Sequence, residues 1–99
     1  METIIFKTKH VTKYRYGGKL HRLDGPAIEY RNGDIEYWQF GKRHRIDGPA
    51  IHTSYFKKWY QHGKLHREYG PAVERRNDKE YWFCGKNYTL TEYKKLLKY

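Results

Sequence analysis

One ten-residue phrase is written three times in a chain of 99 residues: GKLHRLDGPA at 18–27, GKRHRIDGPA at 41–50 and GKLHREYGPA at 63–72. The Gly-Lys pairs that open the copies, with a fourth at Gly85-Lys86, lie 23, 22 and 22 residues apart. A fixed period of this length marks a stack of small structural units, each of which buries its apolar side only against its neighbours. Pro26, Pro49 and Pro71 recur at the same period. Proline inside a helix removes a hydrogen bond and clashes with the preceding turn, so an all-helical solenoid is excluded.

Each unit holds two short segments of strand character. The first follows Gly-Pro: Ala27 to Arg31, Ala50 to Thr53, Ala72 to Arg75. The second precedes Gly-Lys: Ile35 to Gln39, Lys58 to Gln61, Glu80 to Phe83, with Tyr14-Arg15-Tyr16 as a degenerate first copy. Asn32-Gly33 between two strands is a strong two-residue hairpin signal, and Asn77-Asp78 holds the same place in the third unit. The middle unit carries Tyr55-Phe56 there and is one residue shorter, so its turn differs. The predicted fold is mainly β: a single antiparallel meander of repeated hairpins.

The two ends depart from the repeat. Thr89 and Glu92 have the spacing of a capping box, and Leu90, Tyr93, Leu96 and Leu97 then fall on one helical face. This predicts a capping helix over 89–98 that folds back on the sheet. Residues 1–16 are expected to supply the opposite edge as a strand, with Ile4, Phe6 and Val11 as burial candidates. The whole chain, 1–99, reads as one domain, with the repeats over 17–86.

The letters of the repeat resemble MORN repeats, hairpin units built around aromatic-x-x-Gly-Lys. They are more similar still to the HRxDGPA repeats of bacteriophage and giant-virus proteins. Residues 18–27 and the copies at 41–50 and 63–72 carry the likeness, and Glu68-Tyr69 in the third copy departs from it. The resemblance implies an interaction scaffold of viral origin that inhibits or redirects a host factor.

Composition bounds the chemistry. Only 37% of residues are hydrophobic, yet 18% are aromatic, which separates the chain from disordered sequences. Rings bury large areas and let a thin core hold. Cys84 is the single cysteine and is expected at a buried sheet position; no disulfide can form within the chain. No apolar run reaches the length of a signal-peptide core or a membrane span, so a cytoplasmic protein with no membrane partner is expected.

His21, His44 and His66 recur in register. Two strands per unit would hold them about 10 Å apart, whereas ligands of one zinc ion sit about 3–4 Å from one another. Metal binding is not expected. The sequence instead predicts structural corners, with His21, Arg22, Asp24, Gly25 and Pro26 in the first, His44, Arg45, Asp47, Gly48 and Pro49 in the second, and His66, Arg67, Gly70 and Pro71 in the third. In them His and Arg would pair with Asp or with backbone carbonyls. His-Arg-x-Asp matches a kinase catalytic loop only in lettering, with no glycine-rich phosphate loop beside it. No catalytic residue and no cofactor are expected, and the chain reads as a non-enzyme.

The formal charge is +10, from 21 Lys and Arg against 11 Asp and Glu. A field of that sign attracts polyanions and acidic protein surfaces. Tyr37-Trp38, Trp59-Tyr60 and Tyr81-Trp82 repeat as pairs, and neighbouring strand residues face opposite ways. The series Trp38, Tyr60 and Trp82 is expected to be the more exposed and to offer a stacking platform for bases. With Lys42, Arg43, Lys57, Lys58, Arg75 and Arg76 it forms the candidate binding set. The expected partner is RNA or another polyanion. The alternative is an acidic host protein engaged without nucleic acid, and an open sheet edge could support a homo-oligomer.

Overall fold

The computed structural model describes residues 2–97. It contains fourteen strands and one helix. In chain order these are β1 (Thr3–Lys7), β2 (Val11–Tyr16), β3 (Lys19–Leu20), β4 (Ile28–Tyr30), β5 (Ile35–Glu36), β6 (Trp38–Gln39) and β7 (Lys42–Arg43). There follow β8 (Ile51–His52), β9 (Phe56–Lys58), β10 (Tyr60–Gln61), β11 (Lys64–Leu65), β12 (Val73–Arg75), β13 (Asp78–Phe83), β14 (Lys86–Tyr88) and α1 (Leu90–Leu96). The main sheet runs β1-β2-β4-β5-β8-β9-β12-β13-β14, every pairing antiparallel. The fold is therefore mainly β, an antiparallel meander of repeated hairpins with a short C-terminal helix. Its extents are 44 × 29 × 17 Å. The long axis matches nine strands spaced about 4.8 Å apart.

The repeated phrase is not itself the chain reversal. Reversal is complete at its first residue, in the turns Gly17-Gly18, Phe40-Gly41, His62-Gly63 and Cys84-Gly85, where both residues have positive φ, for example 48° and 79° at Phe40 and Gly41. These are the primed two-residue turns whose twist suits a hairpin. Cys84, expected at a buried sheet position, is an exposed turn residue instead. After each turn the chain pairs back for two residues, as in Trp38↔Arg43 and Gln39↔Lys42. It then leaves the strand at His-Arg-x-Asp-Gly-Pro and rejoins it at alanine, where Tyr14 N–H donates to Ala27 O at 2.8 Å and Trp59 N–H to Ala72 O at 2.8 Å. Each phrase is thus an excursion out of one long strand.

At the opposite edge the turns differ from unit to unit. Arg31-Asn32-Gly33 is a three-residue loop in which Gly33 alone has positive φ, 97°, and Asn32 Oδ1 accepts from Asp34 N–H. It replaces the expected two-residue Asn-Gly turn. The middle unit turns at Thr53, whose hydroxyl accepts from the N–H groups of Tyr55 and Phe56, as Thr8 does from His10 and Val11. In the third unit Arg75 pairs with Asp78, so the turn is Arg76-Asn77 rather than Asn77-Asp78.

The core is thin. Ile28, Ile51 and Val73 form a buried row, and Ala27, Ala50 and Ala72 are fully buried on the other side of the same strands. Each aliphatic side chain contributes roughly 2 kcal/mol by burial, so the backbone ladder and the polar and aromatic stacks must supply much of the rest. At the C-terminal end the capping box is formed: Glu92 N–H donates to Thr89 Oγ1, and Thr89 N–H donates to Glu92 Oε1. Of the expected helical face only Tyr93 is buried; Leu90 and Leu96 remain exposed. Lys98, which the sequence placed in this helix, lies outside the described residues. At the other end β1 is exposed throughout, with Ile4 at 62% and Phe6 at 51%. Among the described residues β1 pairs only with β2, so the predicted burial of Ile4 and Phe6 does not occur, and Val11 is half-buried.

Candidate functional site

The excursions organise the face that carries Tyr14, Tyr37 and Trp59. Arg22, Arg45 and Arg67 lie flat over these rings, with guanidinium carbons 4.0, 4.0 and 3.9 Å from the ring centres. Each arginine also donates from Nη1 to the carbonyl of the proline in its own excursion, at 3.2, 3.2 and 3.1 Å. Arg22 and Arg45 pair through Nε with Asp24 and Asp47. Arg67, which has Tyr69 at the Asp position, pairs with Glu74 at 2.9 Å instead. A side chain beneath the guanidinium would push it off its ring: a Cβ on Gly48 would sit 2.8 Å from Arg45 Cζ, and one on Gly70 2.9 Å from Arg67 Cζ. Arginine thus pairs with aspartate and a carbonyl as the sequence predicts, with an aromatic stack added.

Histidine behaves otherwise. His21, His44 and His66 are 9%, 9% and 7% exposed and make no contact with Asp24 or Asp47. Their Nδ1 atoms accept from the backbone N–H groups of Phe40, His62 and Cys84, at 3.0, 3.0 and 2.8 Å. The ring crosses to the next unit and holds its left-handed turn, which explains how three non-glycine residues occupy that strained region. The first turn, with no earlier excursion to supply such a histidine, is Gly17-Gly18. An acceptor at Nδ1 requires a neutral ring with its proton on Nε2. Burial, and secondarily the charge of His62, lowers the His44 pKa below its ordinary 6.5. Among the described residues no three His, Cys, Asp or Glu side chains come together as metal ligands.

The other face gathers most of the candidate binding set, but in a different state. Arg43 lies between Trp38 and Tyr60, 4.9 and 5.4 Å from their ring centres. Its Nε is sealed from solvent and without a hydrogen-bond partner, 3.9 Å from Glu36 Oε1. Trp38 and Trp82 donate their indole N–H to Glu36 and Glu80. Arg75 bridges Asp78 and Glu80 at 2.9 and 2.7 Å. The Arg75 guanidinium and the Trp82 indole hold the Glu80 carboxyl below its ordinary range. Trp38, Tyr60 and Trp82 are half-buried, as are Tyr14, Tyr37, Trp59 and Tyr81, so the expected difference between the two series is absent. The stacking platform is therefore pinned in place by carboxylates and Arg43. Lys58 lies on this face and its neighbour Lys57 on the opposite one, across from Glu74. Lys57 and Arg76 are exposed.

A division of labour between the cations was not legible in composition. Every ion pair among the described residues uses an arginine or a histidine, and none uses a lysine. Lys19, Lys42, Lys64 and Lys86 follow the four near-edge turns and are exposed. The stems of the first three lie over Gly41, Gly63 and Gly85 of the next unit, 3.4 to 3.6 Å from where a Cβ would stand. The four positions recur once per unit, a step of about 10 Å, two strand spacings. Of the candidate set, Lys42 belongs to this row. The repeat of Lys after Gly was the available signal for the other three.

No family model matches the chain, and neither a curated protein nor a solved structure does. No helix among the described residues is long and apolar enough to cross a membrane.

Proposed function

We propose that this protein is a non-enzymatic binding module for a polyanion, with single-stranded RNA as the favoured class. The reading rests on one observation: arginines neutralise the acids internally while the lysines stay unpaired and exposed along a rim. Lysine is a hydrated point charge on a flexible stem, suited to phosphate contact without base readout. The row Lys19, Lys42, Lys64 and Lys86 is the main contact, with Lys57 and Arg76 exposed toward the opposite edge as a secondary one. The resemblance to HRxDGPA repeats adds a setting, a viral protein that inhibits or redirects a host factor. Under that setting the same charge could instead steer the module to an acidic host protein.

Binding of a labelled 20-nucleotide single-stranded RNA across a salt series tests the reading. Affinity should fall linearly on a log–log plot, and replacing the four rim lysines by Gln should flatten the slope by about 3, at roughly 0.7 per lost contact. Failure to bind at low salt would remove RNA as the ligand. A partner retained in a pull-down after nuclease treatment would move the reading to a protein surface.

A further inference from the structure

The excursions place three large apolar residues in solvent at equivalent positions: Leu23, Ile46 and Tyr69, at 72%, 76% and 75% exposed. Random surface hydrophobes do not recur at a structural period. These three are also held rigidly, because each excursion is braced by its own arginine through the proline carbonyl and the ring beneath. Between successive apices the surface dips into a notch. One lies between Leu23 and Ile46, a second between Ile46 and Tyr69, and a third between Leu23 and Ile5 of the open end strand, which is itself 58% exposed. The aromatic floor of each notch is Tyr37, Trp59 or Tyr14.

Each notch is lined by one of the histidines that is more than nine-tenths buried. Their Nδ1 atoms are occupied by the turn N–H groups, so each ring carries a proton on Nε2. No acceptor among the described residues takes that proton from His21 or His44, and in His66 the nearest, Glu68 Oε1, is 3.9 Å away. The nitrogen is not sealed, since Arg43 Nε is the one sealed side-chain polar atom without a partner among the described residues. Gln39 and Gln61 line two of the notches, and no hydrogen bond within the described residues engages their amides. The notches therefore offer donors, between apolar apices and beside the carboxylates of Asp24, Asp47 and Glu68, to a ligand that supplies acceptors. Two of the excursions carry their own Arg–Asp pair, so this ridge lacks the surplus positive charge of the lysine rim.

The step between notches is one repeat, about 10 Å. A polyproline II chain advances about 9 Å per three-residue turn, presents every third side chain on one side, and leaves its carbonyls free of internal hydrogen bonds. A β-strand ligand repeats its faces every second residue, about 7 Å, and falls out of step. We infer that the apices Leu23, Ile46 and Tyr69 form a docking track for an uncharged proline-rich peptide in the polyproline II conformation, its carbonyls accepting from His Nε2 and its rings or apolar side chains seated between the apices. This surface is separate from the lysine rim and does not rest on the RNA reading.

Fluorescence anisotropy with a fluorescein-labelled (Pro-Pro-Leu)4 peptide tests it. Saturable binding is expected. Ile46→Ser, which affects two notches, should weaken it about tenfold, the equivalent of about 1.4 kcal/mol, and Ile46→Leu should retain it. Replacing all three apices by Ser should abolish peptide binding and leave RNA binding and the urea melt unchanged. A (Gly-Gly-Leu)4 control, which lacks the preformed helix, should bind at least about tenfold more weakly. The inference is overturned if (Pro-Pro-Leu)4 does not bind at millimolar concentration, if Ile46→Ser binds it like the parent, or if the glycine peptide binds equally well.

Discussion

The two ends of the sheet are finished in opposite ways. At the C-terminal end Tyr93 is 2% exposed, its ring 5.2 Å from that of Tyr81. Its hydroxyl accepts from Gly70 N–H and donates to Arg67 O. Tyr14, Tyr37 and Trp59 are each covered by the arginine of the following excursion, and Tyr81 has no such excursion after it. Tyr93 takes the place of the missing arginine, so the helix serves as a plug that completes the last stack. At the N-terminal end β1 pairs with β2 and, among the described residues, has no partner on its other edge, with Ile4, Ile5 and Phe6 in solvent. The difference teaches that this array is closed by ring stacking at one end and left able to pair at the other, the edge through which a second copy could add.

Substitutions of unequal effect probe that contrast. Tyr93→Ala should cost the most, about 3 kcal/mol or more in a urea melt, since it removes a buried ring and two hydrogen bonds. His44→Ala, in the middle of the array, should cost about 2 kcal/mol by leaving the His62 N–H unpaired in a left-handed turn. Tyr93→Phe keeps the ring and loses the hydroxyl; about 1 kcal/mol is expected, and a loss as large as that of the alanine variant would show that the hydroxyl, not the stack, closes this end. Phe6→Ser at the open end should change the melt by less than about 0.5 kcal/mol. A large loss there would mean that β1 is covered in solution, which sedimentation at rising concentration would reveal as self-association.

Acid separates the middle of the array from its C-terminal part. The folded His44 ring resists protonation, so its contribution to stability is complete above pH 6.5, the ordinary value, and declines as pH falls below it. Glu80, held below its ordinary 4.5 chiefly by Arg75, contributes above that value and loses its contribution as pH falls further. Urea melts carried from pH 8 down to about pH 2 should therefore weaken in two stages, and His44→Ala should diminish the first.

What was legible in the sequence was local or periodic. The 22-residue step, the strand segments, and Thr89 with Glu92 all express themselves within a few neighbouring residues. The histidine bond was not legible, because its acceptor and donor are 18 or 19 residues apart and the donors, at Phe40, His62 and Cys84, share no side-chain chemistry. What those positions share is a backbone angle, and no letter records it. The internal partners of Arg75, Trp38 and Trp82 were missed as well. Only the register shows that Glu80 reaches Arg75, whereas Glu36 with Trp38 and Glu80 with Trp82, two residues apart on one face, could have been read as pairs. The exposed apices were hidden by their identities, since Leu, Ile and Tyr at one position suggest burial rather than display.

The link from each histidine to the following turn gives the array a polarity. A unit hands a ring forward and receives one from behind, so the joints at 21–40, 44–62 and 66–84 are interchangeable. Splicing a further copy of residues 41–62 into the middle would reproduce every joint, lengthen the molecule by about 10 Å and leave the first turn and the terminal plug untouched. Evolution can therefore lengthen or shorten such a chain by whole modules, changing its reach without redesigning either end.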